Sequence, residues 1–351
     1  MGAGLRTFIE TIDGGVKRMQ AVHGSLPWLT GLGVLALLPF LTSNSHNIYL
    51  LNFICIMIIL SVGLNIVKGF AGQVTVGHIG LYAVGAYTAA ILSLNFGFPF
   101  LGSVVCAIAM TAACGVIVGI PSFRLEGAYL ALATLGFAES VQIYTRVTNY
   151  LGASSGLGGI PAPSVGDYTF DTYERYYYIV MPVMVLAVYC SFAILKSGTG
   201  RAFKAVREDV VSAAAMGVNV RRYKLYAFVI SAIYAGTAGA LYAHMTPGYI
   251  HPNNFTVIEM VTLLLMIVLG GIGHVWGGII GAILVTIIAD QTRELYFYQL
   301  LAFGSIIVLT VMFMPKGIGG IIDRYLTTSR FAELRERQHA SREADEASNA
   351  S

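Results

Sequence analysis

An all-α, polytopic membrane helix bundle is the fold class the sequence predicts, and three observations lead there. Of 351 residues, 56% are hydrophobic and only 11% charged, a balance that belongs to membrane proteins rather than soluble globules. The apolar residues come in blocks of about 20, the length a helix needs to cross hydrocarbon. Those blocks lack the two-residue alternation of a barrel strand, so they can satisfy their backbone in lipid only as helices.

Charge then orders the elements. Residues 1–25, with Arg6, Lys17 and Arg18 among polar neighbours, are expected as a cytoplasmic N-terminal segment. The first apolar block is expected to be retained, because no small-residue cleavage site follows it. A transmembrane domain is expected over 26–317, with spans at 27–43, 48–67, 76–95, 100–120, 126–146, 176–196, 224–244, 257–272, 275–290 and 297–314. With both termini in the cytoplasm, ten crossings leave Lys68, Arg124, the loop 197–223, Lys316 and the basic stretch from Arg324 on the cytoplasmic face. That is the distribution the positive-inside rule requires. The periplasmic loop 147–175 and the links 245–256 and 291–296 carry few bases, with Arg146, Arg175 and Arg293 as exceptions. The segments 257–272 and 275–290 are near the lower limit for a crossing and meet at Gly270-Gly-Ile-Gly-His-Val-Trp-Gly-Gly. As a re-entrant pair or one bent span they would lower the count from ten to eight or nine. Residues 318–351, dense in Arg, Glu, Asp, Ser and Ala, are expected as a cytoplasmic, disordered tail.

Chemistry is concentrated in a few places. The loop 197–223, with the Lys224 that follows it, holds Arg201, Lys204, Arg207, Arg221, Arg222 and Lys224 against Glu208 and Asp209, a surplus larger than the +3 of the whole chain. A positive-inside anchor would explain the bases. It would not require an Ala-rich amphipathic helix with an acidic pair, a glycine stop at Gly217 and a turn at Asn219, which together fit a docking segment for a soluble partner. Gly273, Gly277 and Gly281 recur every four residues and Gly115 precedes Gly119 at the same spacing, as close helix packing demands. In Lys68-Gly-Phe-Ala-Gly-Gln-Val-Thr-Val-Gly-His, glycines beside polar residues suggest a broken helix lining a water-filled cavity. Glu139, Glu259 and His78 are ionisable groups within or at the ends of spans. A charge at the bilayer centre costs about 2.5–3.5 kcal/mol, so Glu139 is expected to face the bundle.

Cys55, Cys106, Cys114 and Cys190 lie in apolar blocks without metal-ligand spacing and are expected to pack. No G-x-x-x-x-G-K-[ST] phosphate loop, H-E-x-x-H metal site or G-x-S-x-G nucleophile turn occurs. The chain is therefore not expected to be an enzyme or to hold a cofactor.

Several ordered segments resemble one family. They are Gly63-Leu-Asn with Gly69-Phe-Ala-Gly-Gln-Val-Thr-Val-Gly-His-Ile-Gly-Leu-Tyr, then Arg124-Leu-Glu-Gly-Ala-Tyr-Leu-Ala-Leu-Ala-Thr-Leu-Gly-Phe-Ala-Glu, and Ser155-Gly-Leu-Gly-Gly-Ile-Pro. Gly200-Arg-Ala-Phe-Lys-Ala-Val-Arg-Glu-Asp through Tyr223-Lys-Leu, Ala238-Gly-Ala-Leu-Tyr-Ala, and Leu269-Gly-Gly-Ile-Gly with Trp276-Gly complete the set. From about residue 60 to 317 the chain resembles the permeases of bacterial branched-chain amino-acid ABC transporters, of the LivM type. Glu126 and Ala128 depart from the pattern, which weakens any substrate inference from that segment.

The resemblance implies an importer subunit in the bacterial inner membrane that translocates branched-chain amino acids. Its partners would be a second homologous permease, two cytoplasmic ATPase subunits that hydrolyse the ATP, a periplasmic substrate-binding protein and membrane lipid, with no nucleic acid. By this reading Arg201, Arg207, Glu208, Asp209, Ala215 and Gly217 couple to the ATPase, and Gly72, Gln73, His78, Tyr82 and Glu139 are candidates for the substrate path. A related importer for urea or short amides shares much of the pattern. A stand-alone ion-coupled carrier would need midplane carboxylates in related half-repeats, and no internal repeat is evident. A membrane-embedded structural subunit without a path of its own is the third alternative.

Overall fold

The computed structural model describes residues 39, 44–165, 168–245, 248–292, 296–313 and 317–319. The segment 1–25, the expected span 27–43 apart from Pro39, Arg293, Lys316 and the tail beyond Gly319 lie outside the described residues. The other nine expected spans each fall on a helix. These are α1 (Ser45–Asn65), α2 (His78–Asn95), α3 (Phe100–Gly119), α4 (Gly127–Val147), α5 (Tyr173–Lys196), α8 (Val220–Ala243), α9 (Val257–Gly270), α10 (Val275–Gln291) and α11 (Tyr296–Phe313), with α6 (Gly198–Glu208) and α7 (Val210–Ala215) between α5 and α8. Among the described residues the sole strand pairing is a hairpin of two-residue strands, Ser164–Val165 with Tyr168–Thr169.

Burial sorts the helices into a centre and a rim. The α1 span, apolar all round and continued by a π-helical turn over Ile66–Phe70, is 78% buried in its most apolar stretch; that of α8 is 61% buried. Those of α3 and α5 are only 33% and 28% buried. A helix that is hydrophobic on every side is stable either deep in protein or against lipid, and this bundle uses both solutions. Helices α1, α2 and α3 pack around α8, while α5, α9 and α10 flank α1.

Small residues set the spacing. A Cβ at Gly115 would sit 2.5 Å from the Ala232 Cβ, and one at Gly119 2.9 Å from Leu225 Cδ1, so the stripe on α3 is where α8 approaches. A Cβ at Gly277 would lie 2.5 Å from the Gly271 carbonyl oxygen, and one at Gly281 would overlap the Met266 carbonyl, so α9 and α10 touch backbone to backbone. The expected glycine packing is thus present on both stripes, and the four cysteines are free.

The two ends of the bundle differ. At one end lie α6 and α7, the irregular stretch 71–77, the turn 120–126 and the α9–α10 turn at 271–274. The last of these reaches the α1 terminus, where Asn65 Nδ2 donates to the His274 carbonyl at 2.7 Å. Helices α9 and α10, of 14 and 17 residues, are apolar but shorter than the four described helices that are long and apolar enough to cross a membrane. At the opposite end His46 pairs with Asp290 at 3.0 Å, and residues 154–160 lie against the link at 248–251. There Leu157 and Ile250 form a bridge, and the Tyr249 hydroxyl donates to the Ser155 carbonyl at 2.8 Å.

The base that closes this basic stretch is not at the surface. Lys224 is 3% exposed and its ammonium donates to Glu126 Oε1 at 2.7 Å, tying the start of α4 to α8. The carboxylate is 66% exposed on its side chain and the lysine 4%, so the two partners are not equivalent. Removing Glu126 leaves a buried ammonium, whereas removing Lys224 leaves a solvated carboxylate. Glu126→Ala is expected to lower stability by about 1–3 kcal/mol and Lys224→Met by less, measured as thermal unfolding in detergent; equal effects would show the pair to be solvent-screened.

Candidate functional site

The loop between α5 and α8 folds as two short helices set at an angle by one residue. Ser197 caps α6, its hydroxyl accepting from the Thr199 N–H at 3.2 Å. Ala202, Phe203 and Val206 are buried, and the Phe203 ring meets Tyr223 edge-on at 6.3 Å, so one face of α6 is fixed to the bundle. Arg201, Lys204 and Glu208 are exposed on the other. Asp209 then leaves the helical region at φ −156°, and its Oδ1 accepts from the Ser212 N–H at 2.5 Å, ending α6 and capping α7. An Asp side chain that binds backbone N–H groups competes with helix continuation. Gly217 closes the unit at φ +82°, where a side chain would be strained, and Asn219 caps α8 by accepting from the Arg222 N–H at 3.2 Å. The expected glycine stop and Asn219 turn are therefore present, whereas the single Ala-rich helix is two.

The hydrogen bonds from Ser212, first its backbone N–H and then its hydroxyl, hold the Asp209 carboxyl below its ordinary value. A depressed carboxyl stabilises the fold above its unfolded value and loses that effect as pH falls through the folded one. The α6–α7 angle should accordingly persist through neutral and mildly acidic pH. Asp209→Asn, which keeps the cap oxygen, is expected to retain uptake better than Asp209→Ala in a transport assay at neutral pH; equal uptake would mean the cap does not matter.

The angle presents a knob. Val211 is 78% and Met216 85% exposed, Ala215 and Gly217 beside them are also exposed, and the exposed Glu208 and Asp209 stand at its edge. These are the two most exposed large apolar side chains among the described residues, and they lie at either end of the six-residue α7. Arg207, expected with the coupling residues, points elsewhere. Its Nη1 donates to the Gly69 carbonyl, and its stem lies against Gly72, where a Cβ would be 3.0 Å from Arg207 Cγ.

The path candidates fall into separate places. Gly72, at φ +70°, and Gln73, 7% exposed with Nε2 donating to the Ala71 carbonyl at 3.2 Å, lie in the irregular stretch beside Arg207. His78 is 1% exposed and both ring nitrogens are engaged, Nε2 with the Leu60 carbonyl at 3.1 Å and Nδ1 with the Ser231 hydroxyl at 3.0 Å. It joins α1, α2 and α8. Tyr82 is 2% exposed among Tyr242 and Phe255, with ring centroids at 5.6 and 5.2 Å. Glu139 is half-buried beside the stripe Leu130, Thr134, Ala138 and Gln142 by which α4 packs, and has no ion-pair partner among the described residues.

Asn65 is the functional candidate that sequence reasoning missed. It is 0% exposed and holds the α9–α10 turn with both ends of its amide. Its signal was available, since a polar residue closing an apolar block within Gly63-Leu-Asn is costly in a membrane unless it bonds to something.

The family described as branched-chain amino acid transport system / permease component matches residues 47–314, which contain both the α6–α7 unit and the α9–α10 turn. The high-affinity branched-chain amino acid transport system permease protein LivM of Escherichia coli (strain K12) is 33% identical over 341 residues, covering 90% of this chain and 78% of that protein. LivM of Salmonella typhimurium is 32% identical with the same coverage. The permease protein LivH of Escherichia coli (strain K12) is 26% identical over 285 residues, covering 75% of this chain and 90% of its own length. No solved structure matches the chain. With over half its length matched by one family and nine tenths of it aligned to a relative at one-third identity, this multi-pass membrane protein belongs to the branched-chain amino acid transport system permease family.

Proposed function

We propose that the chain is the transmembrane permease subunit of an ATP-binding-cassette importer and translocates branched-chain amino acids across the bacterial inner membrane. The observation that carries this reading is the α6–α7 knob: exposed Val211 and Met216 on a helix pair whose other face is locked into the bundle. A soluble motor protein that covers the knob can push on it, and the anchored face passes the push inward. The α6–α7 end is assigned to the cytoplasm, because Lys68, Arg124, Lys196, Arg201, Lys204, Arg207, Arg221 and Arg222 lie at that end and only Arg146 and Arg175 at the other described end. The folded segment 147–175 then faces the periplasm and a substrate-binding protein.

Two ATPase subunits hydrolyse the nucleotide, and a second homologous permease forms the other wall of the path. Arg201, Glu208, Asp209, Ala215 and Gly217 build the docking unit, with Arg207 on its inner side. Among the path candidates, the half-buried Glu139 on the thinly covered helix α4 is the one we assign to the side toward that second subunit. The test is reconstitution in liposomes with the ATPase and binding-protein partners. ATP-dependent uptake of leucine in preference to urea is expected. Preference for urea would transfer the chain to an amide importer, and uptake under an ion gradient without the ATPase would reject the ATP-driven reading.

A further inference from the structure

Three segments meet at one point beside α6. The α9–α10 turn bends at Gly271, φ +117°, and Gly273, φ +85°. Asn65, the last residue of α1, holds that turn from both sides: Nδ2 donates to the His274 carbonyl at 2.7 Å and Oδ1 accepts from the Gly273 N–H at 2.9 Å. One turn earlier the Ser61 hydroxyl donates to the Gly278 carbonyl at 3.1 Å. Past Asn65 the chain widens into the π-helical turn Ile66–Phe70, and a Cβ at Gly69 would lie 2.6 Å from the Gly273 nitrogen, so the two backbones are in contact. Into this joint reaches Arg207, whose Nη1 donates to the Gly69 carbonyl and would be 2.5 Å from a Cβ at Gly273.

The arrangement has the parts of a linkage. An arginine without an acidic partner among the described residues places its charge at the C-terminal end of α1, where the helix dipole is negative. Charge-assisted bonds of this type are short and directional. Beyond it Gly69 and Gly273 meet backbone on backbone, and the short Asn65 and Ser61 side chains, buried and hydrogen-bonded, leave little slack to absorb a displacement. The π-helical turn, a rare conformation associated with functional sites, is the element best able to change register.

We infer that Arg207 and Asn65 are positioning residues that transmit movement of α6 to the α9–α10 hairpin and to the irregular stretch 71–77, rather than contacts with the motor. This rests on the ATP-driven reading above and adds to it the route by which motion at the knob reaches the membrane. It separates two functions within one short loop: docking at Val211 and Met216, transmission at Arg207.

The experiment measures leucine transported per ATP hydrolysed by the assembled complex in liposomes, together with the amount of ATPase that co-purifies. Arg207→Ala is expected to keep the ATPase bound and hydrolysing while the ratio falls about tenfold, the scale of one lost charge-assisted hydrogen bond. Arg207→Lys should recover part of the ratio, and Asn65→Asp, which keeps an acceptor for Gly273 but loses the donor to His274, should lower it in the same direction. If Asn65→Asp does not assemble, the two variants of the exposed Arg207 decide the matter. Loss of the ATPase from the Arg207→Ala complex would make Arg207 a docking contact, and an unchanged ratio would make it immaterial; either result overturns the inference. If the unaltered chain binds no ATPase, the failure lies instead with the proposed function.

Discussion

Val211→Asp and Met216→Asp are each expected to reduce ATP-dependent leucine uptake by at least about thirtyfold, with loss of the co-purifying ATPase. Central apolar anchors of an interface cost about 2–4 kcal/mol when lost, and a carboxylate placed in the partner's pocket adds the expense of an unpaired buried charge. At 78% and 85% exposure, neither side chain contributes to the permease core, so the thermal unfolding of the isolated chain should not move. Glu208→Lys, at the rim of the same knob, is expected to act mainly on the rate of association and to weaken with salt. Reversing Glu208 and Asp209 together would be a poorer experiment, because Asp209 also caps α7 and its loss would disturb the fold of the unit. Retained uptake in the Val211 and Met216 variants would remove the knob from the docking surface.

The second large effect is expected at Gly281. A Cβ there would overlap the Met266 carbonyl oxygen, with the Met266 carbonyl carbon at 2.7 Å and the Gly270 nitrogen at 3.1 Å. All three are backbone atoms, so relief requires the separation of α9 from α10. Gly281→Val is accordingly expected to destabilise by about 3 kcal/mol, at the upper end of overpacking costs, and to lower the unfolding temperature and the yield of folded protein. Gly136 on α4 is the internal control. A Cβ there meets nothing within 4 Å, and Gly136→Ala should be neutral or slightly stabilising through helix propensity. A Gly281→Val protein that melts with the unaltered chain would contradict the backbone contact.

The long helices were legible because their signal is redundant. For a block such as 100–120, length, apolarity and the flanking Pro99 and Arg124 all mark the same boundaries, and the helix spans Phe100–Gly119. Glycine spacing likewise marked α10 as a helix with a closely packed neighbour, although only the structure identifies that neighbour as α9. What escaped depends on long-range partners. Lys224 reads as a surface base in a basic loop, and its burial is decided by Glu126, nearly a hundred residues earlier, with Nζ to Oε1 at 2.7 Å. Asn65 reads as an interruption in an apolar run until the turn more than two hundred residues away supplies His274 and Gly273. Arg207 and Glu208 are adjacent at the end of α6, and only the Gly69 carbonyl, well over a hundred residues earlier in the chain, distinguishes the engaged arginine from the exposed glutamate.

The central claim is that a separate ATP-hydrolysing protein grips the α6–α7 knob from the cytoplasm. Cross-linking from a single cysteine at Met216→Cys, in a chain whose four native cysteines are replaced, tests it most directly. Within the assembled complex the account predicts a cross-linked product containing the ATPase subunit, formed with reagents that reach the cytoplasmic face. A product containing the periplasmic binding protein, or labelling only from the periplasmic side, would contradict it.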